Sequence, residues 1–367
     1  MKILQCNPGQ SYARNKEGLN QKIQSILEGG WYILGQEVTN FETAFAQYCT
    51  AGYGIGCANG TDAIELVLRG LGIRDSYVAT VANTAVATVA GIECSGNTAC
   101  FADIDPVTFT MSPDSLERLF EVNPEIKAVV VVHLFGHPAD MDRIMTIAGK
   151  YGAVVIEDCA QAHGAMYKGR RCGSIGVAGC FSFYPTKNLG CYGDGGVVVT
   201  SDGALAERLR ALRQYGWTKR FLSEYPGINS RLDEMQAGLL SVLLPGLDAN
   251  NKRRNEIASA YSAGLHDIAA LKLPCVMADC GHVYHQYVLR CSCRDELKAY
   301  LAEKEIGTAV HYPVPIHQQV AYKDRRLWVE LPQTELVNHE ILSLPMYPEL
   351  NDDEVAYVVN TIREFFG

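Results

Sequence analysis

The feature that most constrains the fold of this chain is a repeated alternation between short apolar runs and segments with helical periodicity. The run YGIGCA precedes TDAIELVLRGL, SYVATVA precedes TAVATVAGIE, and KAVVVVHLFG precedes ADMDRIMTIAGKYG and then AVVIED. Strands that are apolar throughout and separated by helices indicate a sheet that is covered on both faces and is mostly parallel. The sequence therefore predicts an α/β domain.

Two further helices are predicted after the sheet region. The segment SDGALAERLRALRQYGW has apolar residues on one face and either Ser201 or Asp202 as its N-cap. The segment NSRLDEMQAGLLSVLL places Ser230 and Asp233 at the spacing of an N-cap and its reciprocal partner. We therefore expect the second helix to begin just after Ser230.

The pattern changes again from DANNKRRNEIASAYSAGL onward, where a long polar helix precedes shorter strands and the helix RDELKAYLAEKEIG. This is typical of a smaller α+β domain. At 367 residues the chain is also long for a single core. We expect a large domain over residues 1–245, which includes an N-terminal arm, and a small C-terminal domain over residues 246–367.

The composition and charge of the chain argue against some classes of binding partner. Hydrophobic residues make up 48% of the chain and charged residues 20%, which is typical of a globular protein. The formal net charge of -9 would repel nucleic acid. No apolar stretch is long enough to span a bilayer, and the first residues do not resemble a signal peptide. We expect a cytoplasmic protein with neither a nucleic-acid nor a membrane partner.

The 13 cysteines favour reduced thiols over a metal centre, because they are odd in number and scattered through apolar segments. No C-x-x-C pair occurs, and the densest group of cysteines and histidines fits no common zinc spacing. That group comprises Cys275, Cys280, His282, His285, Cys291 and Cys293. We expect these cysteines to pack in strands and the protein to hold no metal.

Two carboxylates, Glu157 and Asp158, close the apolar strand in VVIEDCAQAHG. Carboxylates are costly at such a position unless a cation lies opposite, so we expect one of the two to have a positively charged partner. Side chains alternate along a strand, so one of the two faces the edge where α/β sheets bind ligands, and Asp158 is the better candidate. The alternative is a capping role for Asp158 in the following turn.

In CANGTDAIEL a strand passes through Gly60 into a helix that we expect to begin at Thr61 or Asp62. Free backbone N–H groups and the positive end of the helix dipole make such a turn an anion site, and the threonine hydroxyl adds a donor. A phosphate fits there, although many such turns serve only as helix caps.

The stretch FSFYPTKNLG places Ser182 and Lys187 on either side of a bend made by Pro185. A lysine that is partly desolvated at this point would favour its neutral amine, which is a nucleophile. The alternative is a surface lysine in a turn. The order of a phosphate site, a strand-end acid and this lysine matches what pyridoxal phosphate requires: a phosphate cradle, an acid for the pyridine nitrogen and an amine for covalent attachment.

Four segments together carry a resemblance to a known family: SFYPTKNLGCYGDGG, EDCAQAHGA, ANGTDAIEL and GINSRLDEMQAGLL. Over nearly its whole length the chain resembles the DegT/DnrJ/EryC1/StrS sugar-nucleotide aminotransferases, and it is most similar to those that aminate the C3 ketone of nucleotide-linked 3-keto-6-deoxyhexoses. The resemblance implies a fold type I pyridoxal-phosphate enzyme, L-glutamate as amino donor and a homodimer.

The resemblance also implies roles for particular residues. Lys187 would carry the cofactor, Asp158 would pair with its pyridinium, and Gln161 would donate to its phenolic oxygen. The phosphate would be held by Gly60, Thr61 and Ser182, and also by Asn229 from the other subunit.

The substrate pocket is less completely specified by the resemblance. Tyr184, Arg231, His311 and His317 lie near motifs that line the sugar or diphosphate pocket in relatives, although each also fits an ordinary core, surface or turn position. In ANTAVAT, Ala85 stands where many relatives carry an aromatic residue that stacks on the pyridine ring.

Three alternatives stay open at this point. Two are amination of a C4 ketone and amination of a cyclitol, since no local motif fixes the position of the ketone. The third is a non-catalytic dimer that binds pyridoxal phosphate.

Overall fold

The computed structural model of the chain describes residues 2–367, and Met1 lies outside the described residues. Twelve α-helices are described within that range: α1 (Pro8–Gly29), α2 (Gln36–Tyr48), α3 (Gly60–Gly70), α4 (Val86–Cys94), α5 (Pro113–Val122), α6 (Met141–Lys150), α7 (Gly203–Leu212), α8 (Glu234–Leu243), α9 (Leu247–Leu265), α10 (Arg294–Glu303), α11 (Pro332–Glu340) and α12 (Asp352–Phe366). None of the described helices is long and apolar enough to cross a membrane.

Fourteen strands accompany them, several of only two residues. They are β1 (Tyr53–Cys57), β2 (Tyr77–Val81), β3 (Thr98–Ala102), β4 (Ile126–Val132), β5 (Val154–Asp158), β6 (Met166–Tyr167), β7 (Arg170–Arg171), β8 (Ala178–Ser182), β9 (Gly196–Thr200), β10 (Trp217–Lys219), β11 (Leu222–Ser223), β12 (Cys280–Gly281), β13 (Tyr287–Arg290) and β14 (Ile341–Leu344).

The centre of the molecule is a seven-stranded sheet with the order β1-β9-β8-β5-β4-β2-β3. Its neighbours pair in parallel from β8 to β3, whereas β9 is antiparallel to both β8 and β1. Every residue of β9 and nearly every residue of β4 is buried, because helices cover both faces. The prediction of a mostly parallel mixed sheet in an α/β fold is confirmed.

The starts of α3 and α7 are each fixed by a side-chain cap, and only the cap of α7 was predicted. The helix α3 begins at Gly60, one residue earlier than the first predicted start, because the side chain of Asn59 accepts the N–H of Asp62 at 2.8 Å. The helix α7 is capped by Asp202, which accepts the N–H groups of its first turn. Asp202 was one of the two predicted caps.

The predicted start of α8 just after Ser230, with Ser230 as its N-cap, is wrong, because the helix begins at Glu234. The Ser230 hydroxyl donates to Asp62 Oδ2 at 2.6 Å and accepts the N–H of Ala58 at 3.0 Å. A serine with two distant partners no longer serves as a local cap, so the residues up to Asp233 stay extended. The local spacing rule was overridden by tertiary hydrogen bonds.

Much of the C-terminal part packs around its own hydrophobic core, formed by α9, α10, α12 and the antiparallel pair β13–β14. The helix α9 begins at Leu247, close to the predicted boundary at residue 246. Ile3 also belongs to this core and pairs with Ile306, so the N-terminal segment packs on the C-terminal part. The division into two domains stays a prediction.

Candidate active site

A cavity of about 510 Å³ opens at the carboxyl ends of β1, β2, β4, β5 and β8. This is the edge where α/β sheets bind ligands. The cavity is lined by eight residues that the sequence singled out: Gly60, Thr61, Ala85, Asp158, Gln161, Ser182, Tyr184 and Lys187. Four other candidates do not line it, namely Asn229, Arg231, His311 and His317.

One wall of the cavity is the first turn of α3. The N–H groups of Gly60 and Thr61 have no hydrogen-bond acceptor within residues 2–367. A Cβ at position 60 would lie only 2.8 Å from the Cβ of Ser182, so glycine is what allows the strand end to approach the helix. Two free N–H groups, a hydroxyl and a positive helix end therefore converge on one surface.

Asp158 ends β5 at the floor of the cavity and is buried. Its Oδ2 accepts the hydroxyl of Thr88 at 2.7 Å, and its Oδ1 accepts the N–H of Ala160 at 3.1 Å. Thr88, which sequence reasoning missed, lies in α4. These two hydrogen bonds fix the carboxylate in place and leave it able to accept further donors from the cavity.

Glu157 points to the opposite side of the sheet and is fully buried. Its carboxylate accepts the N–H groups of Gly173, Ile175 and Gly176, each at 2.7 Å, and lies 3.0 Å from His133 Nε2. The strand alternation therefore assigned the two acids correctly. Glu157 anchors the loop that leads into β8 and does not face the cavity.

Lys187 lies in the turn that follows β8. Its N–H donates to the carbonyl of Tyr184 at 2.8 Å, which closes the turn at Pro185. Burial lowers the pKa of the Lys187 amine from 10.5 to about 8, and the nearby charge of Asp158 opposes that shift. A substantial fraction of the amine is therefore neutral near pH 8, as a nucleophilic lysine requires.

Gln161 also lines the cavity, and its amide is held at both ends. Its Oε1 accepts the N–H of Phe135 at 2.6 Å, and its Nε2 donates to the hydroxyl of Tyr312 at 3.1 Å. Tyr312 was not among the predicted residues. The one available signal was its place next to His311 in VHYPVPIH.

Three of the four residues predicted to contact the substrate, Tyr184, His311 and His317, have different environments. Tyr184 is 54% exposed at the rim of the cavity. The ring of His311 bonds through Nδ1 to Ser343 Oγ at 2.8 Å, and burial, together with the charge of Lys187, lowers its pKa to about 4. His317 Nε2 bonds to Glu335 at 2.9 Å.

Arg231 and Asn229 lie outside this cavity. Arg231 is partly buried and makes no side-chain hydrogen bond or ion pair within residues 2–367. Asn229 is exposed, and its backbone pairs with that of Gln214. Ala85 lies on the cavity wall directly before α4, where its methyl group leaves room in front of the helix.

Comparison with known proteins agrees with this geometry. A sequence model of the DegT/DnrJ/EryC1/StrS aminotransferase family matches residues 13–363. The chain belongs to this family. It is 44% identical, over 96% of each sequence, to a dTDP-3-amino-3,6-dideoxy-alpha-D-galactopyranose transaminase from Aneurinibacillus thermoaerophilus.

Solved structures show the same fold. The crystal structure of DesV from S. venezuelae in complex with a ketimine intermediate has a TM-score of 0.96 and 39% identity, and the match covers 99% of this chain and 98% of that one. The structure of NtdA from Bacillus subtilis with bound cofactor PMP has a TM-score of 0.89 and 27% identity, over 96% of this chain and 82% of that one.

The chain is therefore an aminotransferase that depends on pyridoxal phosphate. The residues of the cavity fit that cofactor, because two N–H groups at a helix N-terminus, a hydrogen-bonded carboxylate and an amine of lowered pKa line it together. An alanine at position 60 would clash with Ser182, so the first turn of α3 or the end of β8 would have to move.

Proposed function

We propose that the protein transfers the amino group of L-glutamate to the C3 ketone of a nucleotide-linked keto sugar, most simply a dTDP-3-keto-6-deoxyhexose. The observation that carries the proposal is that Lys187, Asp158, Gln161 and the first turn of α3 line one cavity. The C3 position rests on the similarity to a relative whose name specifies a 3-amino-3,6-dideoxy sugar.

The residues that would hold pyridoxal phosphate follow from the donors and acceptors on the cavity wall. The N–H groups of Gly60 and Thr61 and the hydroxyl of Ser182 would bind the phosphate. Asp158 would hold a proton on the pyridine nitrogen, since Thr88 and Ala160 already fix its orientation.

When bound, pyridoxal phosphate supplies an electron sink for the pair released when the amino acid loses its α-proton. Lys187 Nζ would take that proton and return it, first with glutamate and then, in the reverse sense, with the keto sugar. Its pKa of about 8 suits both directions near neutral pH, because neither the protonated nor the neutral amine is rare.

We further propose that the active form is a homodimer in which each cavity is completed by the partner. Asn229 is exposed and does not reach the cavity of its own chain, which is what a residue directed at the partner's phosphate requires. Large apolar side chains are also exposed on two nearby segments, including Trp31 at 69% and Phe221 at 69%. Burial against a second copy would remove this surface from water.

The function is tested by the two half-reactions. Addition of L-glutamate to the loaded protein should move the visible absorption band to the ultraviolet, and addition of a dTDP-3-keto-6-deoxyhexose should restore it. NMR of the product then locates the new amine at C3. A Lys187→Ala protein that still converts glutamate would refute the role of Lys187, and an amine at C4 or on a cyclitol would refute the proposed substrate.

The shared site is tested by mixing two inactive variants, Lys187→Ala and Asn229→Ala. A mixed dimer contains one cavity in which both residues are intact, so mixing should restore activity toward a quarter of the wild-type level. If each chain builds its own cavity, mixing restores nothing.

A further inference from the structure

The environment of Tyr312 shows a function that sequence motifs did not indicate. Its hydroxyl accepts the Nε2–H of Gln161 at 3.1 Å, although the two residues are 151 positions apart. The carbonyl of Tyr312 accepts Asn338 Nδ2 at 2.7 Å, and the neighbouring His311 ring bonds to Ser343. The C-terminal part of the chain therefore holds Tyr312 at its carbonyl and through its neighbour His311, and its hydroxyl lies against Gln161, which lines the cavity.

The direction of the Gln161 amide is fixed by the backbone. The N–H of Phe135 donates to one end of the amide, so that end must be the carbonyl oxygen Oε1 and the other end must be Nε2. One hydrogen of Nε2 is directed to Tyr312. The second has no acceptor within residues 2–367 and remains available to a group in the cavity that Gln161 lines.

The Tyr312 hydroxyl also has a proton without a partner. Burial raises the pKa of Tyr312 to about 12, the charge of Asp158 adds to this, and the hydrogen bond from Gln161 opposes it. The phenol is thus protonated at neutral pH. It accepts from Gln161, and no acceptor for its own O–H is found in the described part of the chain. Two free donors therefore lie next to each other.

We propose that Tyr312 is a cofactor-binding residue, whose O–H donates together with Gln161 Nε2 to the phenolic oxygen of pyridoxal phosphate bound at Lys187. This inference rests on the proposed placement of the cofactor. One negatively charged oxygen would satisfy both donors, and the Asp158 carboxylate would pair with the pyridine nitrogen, which leaves the phenolic oxygen to accept from Tyr312 and Gln161. Tyr312 also fixes the Gln161 amide, so it acts on the same oxygen by two routes.

The test is a pH titration of the visible band of the bound cofactor, without any substrate. A donor to the phenolic oxygen stabilises its anionic form, so Tyr312→Phe should raise the pH of the spectral transition by about one unit. The other titratable groups are unchanged in the variant: Asp62, Asp158, Tyr184, Lys187 and Asp194 line the cavity, and His311 lies beside Tyr312.

Tyr322→Phe is the matched control, because this tyrosine lies on the same C-terminal segment and its hydroxyl has no hydrogen bond within residues 2–367. The visible band of this variant should change at the same pH as that of the wild type. If Tyr312→Phe does not fold, Asn338→Ala replaces it, since loss of the bond to the Tyr312 carbonyl should move the transition in the same direction by a smaller amount.

The possible outcomes separate the two proposals. A wild-type protein with no visible band overturns both the cofactor placement and the role of Tyr312. A Tyr312→Phe protein that binds the cofactor and titrates with the wild type overturns the role of Tyr312 alone. The same holds if its only defect is a raised KM for the keto sugar, because the hydroxyl would then serve the substrate.

Discussion

Replacing Gly60 by alanine tests whether the first turn of α3 forms the phosphate-binding surface. The new Cβ would lie 2.8 Å from Ser182 Cβ and 3.4 Å from Ser182 Cα, so the helix or the strand end must move by several tenths of an ångström. Overpacking of this kind costs about 1 to 3 kcal/mol, against about 1 kcal/mol gained by removing a glycine from a helix. We expect the free energy of unfolding of the apo protein to fall by about 0 to 2 kcal/mol.

The larger effect should be on cofactor affinity. The N–H groups of Gly60 and Thr61 lie at the displaced contact, and a hydrogen bond to a charged group contributes about 1.5 to 3 kcal/mol. Loss of one such bond corresponds to a Kd for pyridoxal phosphate that is about 10- to 100-fold higher. Titration of the apo protein, followed by absorbance, measures this directly.

Gly149→Ala is the control for the Gly60 substitution, because Gly149 lies in α6 and a Cβ there would meet nothing within 4 Å. It should stabilise the protein by about 0.5 to 1 kcal/mol and leave the Kd unchanged. The reasoning fails if Gly60→Ala binds pyridoxal phosphate as tightly as the wild type, since the phosphate would then lie elsewhere.

Three further predictions concern Lys187, Thr88 and His317. Between pH 8 and 10.5 the unfolded apo chain holds more protons at Lys187 than the folded chain does. The free energy of unfolding of the wild type should therefore rise with pH relative to that of Lys187→Met, as measured by urea unfolding. If the two proteins show the same dependence on pH, the pKa of Lys187 is not lowered. Thr88→Val should cost about 1.5 to 3 kcal/mol by removing the buried hydrogen bond to Asp158, whereas Thr88→Ser should recover most of that loss in the same assay. The ring of His317 bonds to Glu335 and does not line the cavity, so His317→Ala should leave both half-reactions close to their wild-type rates; a loss of sugar turnover with an intact glutamate half-reaction would place His317 in the substrate pocket.

The sheet and most of the residues that line the cavity were predictable because they depend on periodicity and on strand ends. Side-chain alternation in β5 was enough to distinguish Asp158, which faces the cavity, from Glu157, which faces the other way. The start of α8 was not predictable in this way. The spacing of Ser230 and Asp233 satisfies a local rule, but the Ser230 hydroxyl bonds to Asp62, which lies 168 positions earlier.

The sequence did not predict the contacts between segments that are far apart in the chain. Thr88 and Tyr312 each complete the environment of a predicted residue, yet neither was predicted, although Thr88 ends the segment ANTAVAT and Tyr312 follows His311. His317 shows the converse, because it is adjacent to a recognised segment but bonds to Glu335 on α11. Nearness to a motif in sequence predicts the region of a side chain, whereas its partners depend on the packing of the whole chain.

The environment of Asp62, an acid on the cavity wall, also depends on a contact with a distant segment. A carboxylate beside a phosphate site is repulsive unless its charge is taken up elsewhere, and Asp62 lies on the first turn of α3. Its Oδ2 accepts the hydroxyl of Ser230 at 2.6 Å, which draws this oxygen toward the segment that carries Asn229. Ser230 therefore connects the turn proposed to bind the phosphate with the residue proposed to reach the partner subunit. Loss of that hydroxyl in Ser230→Ala should raise the Kd for pyridoxal phosphate, because it frees the Asp62 carboxylate beside the proposed phosphate site; titration of the apo protein measures this, and an unchanged Kd would contradict the argument.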